Sequence, residues 1–391
     1  MLSRFAWAHA THPDWKFAAS LCLAQMESSL RRAPRRPTLG ILYLTDAYAD
    51  VAQDILAFLR TRLGVAQWVG GLGIGLAAGS AEYLDEPAMA LMLLDYDSDD
   101  FAVFSGRAPL SPAHPLLQRG QTVSALVHTD QPLPELPGLL DDLAQKLNST
   151  AIYGASSSSR HTSALIANSV YSRGITGLAF NQRIAHQARL TIGCHPLAPA
   201  HRITHCAGQQ ILELDHEPAL KVLLRDLGEP AAPASVGASA AAHLPLIKSV
   251  QDTLIGLGKG PDFSHPPYQV HPLLGIDPHQ HALVLAEPLE AVDHLVFFQK
   301  DRQAASLDLT HTLTALRDHI EQRHGSFSVV RGALYLSCLE RAGPQAKSAP
   351  EAEMRHVQQL LGELPLIGLY GNAEIFQGQR YQYGAIIVLL L

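Results

Sequence analysis

A continuous apolar run, then an amphipathic helical pattern, then a second apolar run closing on glycine occurs near both ends of this chain. That recurrence constrains the fold more than any other feature. The first copy is TLGILYLTD (Thr38 to Asp46) and VAQDILAFLRTRLG (Val51 to Gly64), then a short strand Val65 to Val69, the turn GGLGIG and AMALMLLD (Ala88 to Asp95). The second is GALYLSCLE (Gly332 to Glu340), EAEMRHVQQLLG (Glu351 to Gly362), LPLIGLYGN (Leu364 to Asn372) and the closing YGAIIVLLL. The helix–strand–Gly piece recurs a third time from Leu139 to Ser159. Runs of this length, apolar on both faces, are strands covered on both sides, and the helices between them make βαβ units. The pattern predicts an α/β protein: two related α/β domains with mixed sheets flanked by helices, built by internal duplication. Gly70 and Gly371 are expected at equivalent corners facing one cleft, with Asp46 and Glu340 on its rim.

At 391 residues the chain exceeds one ordinary core. The stretch Glu229 to Pro245 is rich in Ala, Pro, Gly and Ser and reads as a linker. The expected organisation is 1–36 as an N-terminal helix and basic linker, 37–230 as a first domain, 231–245 as the linker, and 246–391 as a second domain. Asp14 is placed to cap the first helix, and Pro34 and Pro37 to stop it.

A 47% hydrophobic, 17% charged composition with net charge −7 excludes disorder and gives no electrostatic footprint for nucleic acid. The cluster Arg31, Arg32, Arg35 and Arg36 reads as a solvated linker. No apolar run reaches the roughly 20 residues of a membrane helix, and the N-terminus lacks the apolar core of a secretory signal. Cys22, Cys194, Cys206 and Cys338 stand at no metal or redox spacing, as expected of reduced thiols in a cytoplasmic protein.

GGLGIGLAAG meets the dinucleotide spacing G-x-G-x-x-A, but Pro87 and a following strand replace the helix that must face a pyrophosphate. These glycines are read as close-packing positions. DYDSDD (Asp95 to Asp100) lacks the glycine and glutamate of a calcium loop and reads as a solvated turn. Ser156 to Ser159 offers hydroxyls without a P-loop lysine. Cys194, His195, His201, His205 and Cys206 form the densest soft-ligand cluster and match no zinc signature; one axial His or Cys suffices for haem, which stays open as an alternative with Cys194, His195, His201 and His205 as ligands. Cys338, at a strand end, is the nucleophile of a third reading, a Cys-dependent enzyme, which needs a base brought near by folding.

The order of elements resembles the FIST family, with its FIST N and FIST C domains. The resemblance rests on LGILYLTDAY, on the stretch from Val65 to Leu94, on Leu190 to Leu220 with Glu213, Leu214, Asp215, Pro218 and Ala219, and on LLGIDPHQHALVLAEPL, GALYLSCLERAG and LPLIGLYGNAEIFQG. Where such FIST C domains carry a Cys-Asn-Gly-Arg-Gly-like turn, this chain has Cys338, Leu339, Glu340, Arg341, Ala342 and Gly343. Cys and Arg fit; Asn and the first Gly do not. Glu374 carries over from the later corner.

The resemblance implies a small-ligand sensory protein, with amino acids proposed for the family at large and haem, as a nitric-oxide sensor, for some members. With no output segment recognised in the chain, a separate signalling protein is the expected partner. No resident cofactor, membrane or nucleic acid is expected, and no catalysis. The expected ligand site is Asp46, Gly70, Gly71, Cys338, Glu340, Arg341, Gly371, Asn372 and Glu374. Arg341 would hold a carboxylate there, and Glu340 or Glu374 an ammonium.

Overall fold

The computed structural model describes residues 4–111, 113–118, 123–130, 133–161, 165–229, 250, 252–263, 270–285, 289, 292–341 and 352–391. Two compact units emerge: Met1–Thr191 with Leu309–Leu391, and Ile192–Asp308. The stretch 231–245 expected as a linker lies outside the described residues.

The first unit contains one motif three times. In each copy two strands pair in parallel around a helix, a later strand runs antiparallel beside the first of them, and an edge strand flanks that one. Copy one is Leu39–Thr45, helix Ala52–Leu63 and Gln67–Gly73, with Ala88–Leu94 and the edge strand Ala6–Thr11. Copy two is Val123–Thr129, helix Leu136–Leu147 and Ile152–Ser157, with Ile175–Asn181 and Phe101–Ser105. Copy three is Gly332–Cys338, helix Ala352–Leu361 and Leu366–Phe376, with Gly384–Leu390 and His186–Ile192. The duplication legible in sequence is thus a triplication. The second unit enters the chain between the edge strand and the rest of copy three.

Copy one, extended at its Gln67–Gly73 edge by Leu165–Ala167 and Val170–Tyr171, makes the first sheet, and copies two and three join antiparallel through Ile152–Ser157 and Leu366–Phe376 to make the second. The sheets stack on a shared core: Ile41, Tyr43, Val69 and Met92 on one side, Leu126, Tyr153, Leu178, Leu336 and Ile367 on the other. Alternation along each strand sends the intervening residues to the outer faces. There Leu42, Leu44 and Leu91 meet the helices Trp15–Arg32 and Ala52–Leu63. Val127 and Ala125 meet Leu136–Leu147, while Tyr335 and Ile387 meet Ala352–Leu361 and Leu309, Leu313, Leu316 and Ile320 of the helix Arg302–His324. Four layers result, helices outermost, and every central strand is buried on both faces.

The register explains the recurring glycine. Gly70 lies opposite Leu42, Gly154 opposite Val127 and Gly368 opposite Tyr335. A β-carbon at these glycines would stand 1.8, 1.9 and 2.1 Å from the carbonyl oxygen of Leu42, Val127 and Tyr335 respectively. Only a residue without a side chain admits that oxygen. Gly371, expected to match Gly70, instead pairs with Cys338 and matches Gly73, which pairs with Thr45. Gly73 and Gly371, each at the end of its parallel pairing, are equivalent to each other, and the close approach lies three positions earlier.

A further difference concerns the start of the chain. Asp14 caps the helix Trp15–Arg32 through Lys16 N–H, as expected, but Ala6–Thr11 before it is a full edge strand. Its free edge is clasped at His9, whose N–H and C=O both bond the Gln25 amide.

The second unit is antiparallel. Strands His294–Lys300, His201–Ala207, Gln210–Leu214, Ala282–Leu285, Val270–Asp277 and Thr253–Gly258 pair in that order, and the last returns to the first, closing a six-stranded barrel. Helix Ala219–Asp226 buries Val222 and Leu223 against Ile211, Leu283, Leu295 and Phe297. Closure leaves few unpaired edges.

Gly154→Ala and Gly368→Ala should each cost roughly 2–4 kcal/mol in urea unfolding, because the added methyl displaces a carbonyl in a packed sheet. Gly138→Ala, exposed in the helix Leu136–Leu147 with nothing within 4 Å, should instead stabilise by roughly 0.5–1 kcal/mol.

Candidate functional site: a junction of strand ends and an open pocket

The ends of the parallel pairings of all three copies meet. Ser157 Oγ donates to Leu72 O at 2.6 Å, and Ser158 Oγ donates to Tyr370 O at 2.5 Å while accepting from Ile74 N–H at 2.9 Å. Ser156 and Thr129 hydroxyls bond at 2.8 Å, and Asn372 Nδ2 donates to Ser157 O. The serine run thus ties copy two to copies one and three. The glycines of GGLGIG lie in the strands Gln67–Gly73 and Gly75–Ala78, with no helix opening behind them.

Around this junction the expected site residues are placed as follows. Asp46, buried at the end of Leu39–Thr45, receives Arg160 Nε at 2.8 Å, Nη2 at 2.9 Å and the Arg160 backbone N–H; Arg160 also reaches Asp85. Burial pushes the Asp46 carboxyl upward, but the Arg160 bonds outweigh it and hold the group below its ordinary value. Gly70 and Gly71 are buried within their strand.

Cys338, Gly371, Asn372, Glu374 and Arg341 do gather at the end of Gly332–Cys338. Burial, with the Glu374 carboxyl beside it, pushes the Cys338 thiol up to about 12. Glu374 is fully buried and driven well above the carboxylate range by that burial. Its Oε2 accepts from Gly384 N–H, and its Oε1 has no partner among the described residues. A protonated thiol beside a protonated carboxyl is not an activated nucleophile.

Arg341 is turned inward: its side chain is 4% exposed and its Nε donates to Glu353 at 2.8 Å, while Tyr335 O–H bonds the other Glu353 oxygen. Glu340 is exposed. Next to this group Glu82, on the strand Ala81–Leu84, accepts from Met354 N–H at 3.0 Å in the first turn of Ala352–Leu361. Burial, reinforced by the charge of Glu353, raises the Glu82 carboxyl to about 7.

In the second unit, Cys194 and His195 lie on Cys194–Pro196 and His205 is exposed. His201 is buried, with Nδ1 2.7 Å from Asp215 and Nε2 2.8 Å from Asp226. A ring with both nitrogens on carboxylates offers no lone pair to an iron, so His201 does not fit as a haem ligand. Among the described residues, no group of three His, Cys, Asp or Glu is arranged to hold a metal.

A pocket of about 470 Å³ opens elsewhere in the first unit. Its walls are Trp7 and His9 of the edge strand, Ser29 of the helix Trp15–Arg32, the turn Ala78 to Ala81, and Gln358 and Glu363 to Pro365. That turn joins Gly75–Ala78 to Ala81–Leu84, a hairpin that leaves copy one and pairs with Leu366–Phe376 of copy three. The pocket therefore spans the two sheets. Sequence reasoning missed it because its walls come from segments between residues 4 and 365. The one local signal was AWAHAT, in which Ala6, Ala8 and Ala10 are buried under a helix and Trp7 and His9 alternate onto the opposite face.

With fold and sites in place, the comparisons define the class. The model of the FIST N domain matches residues 38–217 and that of the FIST C domain 219–377. The chain belongs to the FIST family, a family of small-ligand sensory domains in signal transduction rather than of enzymes. It is 25% identical to "Uncharacterized protein Mb0898c" of Mycobacterium bovis over 93% of this chain and 92% of that protein. It is 24% identical to "Uncharacterized protein MT0656" of Mycobacterium tuberculosis over 94% and 93%. The two family domains meet inside the second compact unit. No helix among the described residues is long and apolar enough to cross a membrane.

The Glu82 environment sets a pH dependence. A carboxyl raised on folding contributes its full stability below its unfolded value near 4.5 and loses it as pH rises towards about 7. Glu82→Gln keeps an acceptor for Met354 N–H without the ionisation. The variant should match the wild type at pH 4 and exceed it by about 3 kcal/mol at pH 8 in denaturant titrations.

Proposed function

We propose that this protein is a sensor that binds a small organic metabolite, amino acids among the candidates, in the pocket between Trp7 and Glu363. Occupancy is reported to a separate signalling protein in the cytoplasm, and no catalysis is involved. The observation that carries this reading is the pocket's construction from both sheets: copy one supplies the edge strand, helix and hairpin turn, and copy three supplies Gln358 and Glu363 to Pro365. A ligand touching both halves favours one arrangement of copy one against copy three, which is the differential affinity a sensor needs. Its volume falls in the range of metabolite sites. The expected site around Arg341 is less suited to a ligand, since Arg341 is engaged with Glu353 and the surrounding strand ends are tied together by Ser157, Ser158 and Asn372.

A thermal-shift screen of metabolites tests the reading. A ligand at a hundred times its Kd adds about 2.7 kcal/mol, a shift of a few degrees. Trp7→Ala should abolish the shift, and Asn372→Ala, at the junction, should leave it unchanged. No shift across the screen, or one lost in Asn372→Ala and kept in Trp7→Ala, contradicts the pocket assignment.

A further inference from the structure

The pocket's chemistry narrows the class of ligand, an inference that rests on the sensor reading above. One wall is aromatic: the Trp7 and His9 rings stand 5.5 Å apart and within 21° of parallel. Burial holds the His9 imidazole below its ordinary value, and its Nδ1 is 2.6 Å from the Tyr83 hydroxyl. Burial thus favours the neutral ring, so this wall is π-rich and uncharged. The indole is set in place by Gly79, where a β-carbon would stand 2.9 Å from it.

Arg4 is the one Lys or Arg in the lining. Its Nη1 donates to the Glu363 carbonyl, which holds the guanidinium at the rim, and its other N–H donors have no partner among the described residues. A fork fixed at one end with free donors at the other is suited to a carboxylate.

The edge strand adds a donor. Phe5 N–H leaves the sheet to bond Arg331 O, and His9 N–H leaves it to bond Gln25. The two-residue alternation turns Trp7 N–H the same way, and no partner for it is found among the described residues. Ser29 and Gln358 supply neutral hydrogen-bonding groups. The acidic member of the lining, Glu363, is exposed, where solvent screens its attraction for an ammonium.

We infer that the ligand is a planar aromatic acid, its ring packed on Trp7 of the stacked Trp7–His9 pair and its carboxylate held by Arg4 and the Trp7 N–H. The α-ammonium of an amino acid adds little at this site.

The test titrates the full chain by calorimetry at pH 7.5 and 150 mM salt with indole-3-acetate, 4-hydroxybenzoate, indole and L-tryptophan. At least one of the two acids should bind tenfold or more tighter than indole, and no more weakly than L-tryptophan. Arg4→Gln, an exposed change near the chain start, should bring that acid to within about threefold of indole. Trp7→Ala should remove binding of both. L-tryptophan binding tenfold tighter than either acid, with Trp7→Ala abolishing it, overturns the ligand class and leaves the pocket standing. An acid preference that survives Arg4→Gln overturns the role of Arg4. Binding untouched by Trp7→Ala overturns the class and the pocket assignment together.

Discussion

A backbone carbonyl occupying the space of a missing side chain is the contact on which this fold depends. It occurs where Leu42 meets Gly70, Val127 meets Gly154 and Tyr335 meets Gly368, each time in the central parallel pair of a copy. A side chain at any of these positions would push the parallel strands apart, and with them the helix packed across the pair. The same register in all three copies makes the first unit a threefold elaboration of one motif. The barrel is then understood as chain inserted into the third copy rather than as a second α/β layer.

The strand ends show what holds the copies together once each is formed. Ser157 and Ser158 place hydroxyls on carbonyls of copies one and three, so buried acceptors at the meeting point are satisfied without water. Arg160 leaves copy two to neutralise the buried Asp46 of copy one. The hairpin of copy one crosses to pair with copy three, and Glu82 at its far strand caps the helix Ala352–Leu361. Every one of these ties crosses between copies, and the pocket lies beside the last of them. A ligand at Trp7 therefore touches a hairpin already coupled to the third copy through Glu82 and Met354.

Much of the first unit was legible because its central strands are apolar on both faces. LGILYLT, AMALMLL, GALYLSC and GAIIVLL occur where strands were expected, as do the helices after the first of each parallel pair. The edge strand AWAHAT was not legible: its small alanines have little strand preference, and pairing with Ala88–Leu94 and the helix laid over them supply what propensity lacks. The barrel was hidden by strands such as VHPLLGID, broken by proline and glycine and stable through closure. At the candidate site, sequence pointed to residues around the end of Gly332–Cys338 and the Gly371 corner, and five of them do come together, yet as a packed junction. Whether a polar residue faces an opening or another side chain is decided by partners distant in sequence, as with Arg341 and Glu353.

Where a ligand lies is the decisive observation. A crystal structure of the full chain with a metabolite selected by thermal shift would show it. Density is expected against the Trp7 indole, within hydrogen-bonding distance of Arg4 and in contact with the turn Ala78 to Ala81. Density at Glu374 and Cys338, with the Trp7 pocket empty, would contradict this placement.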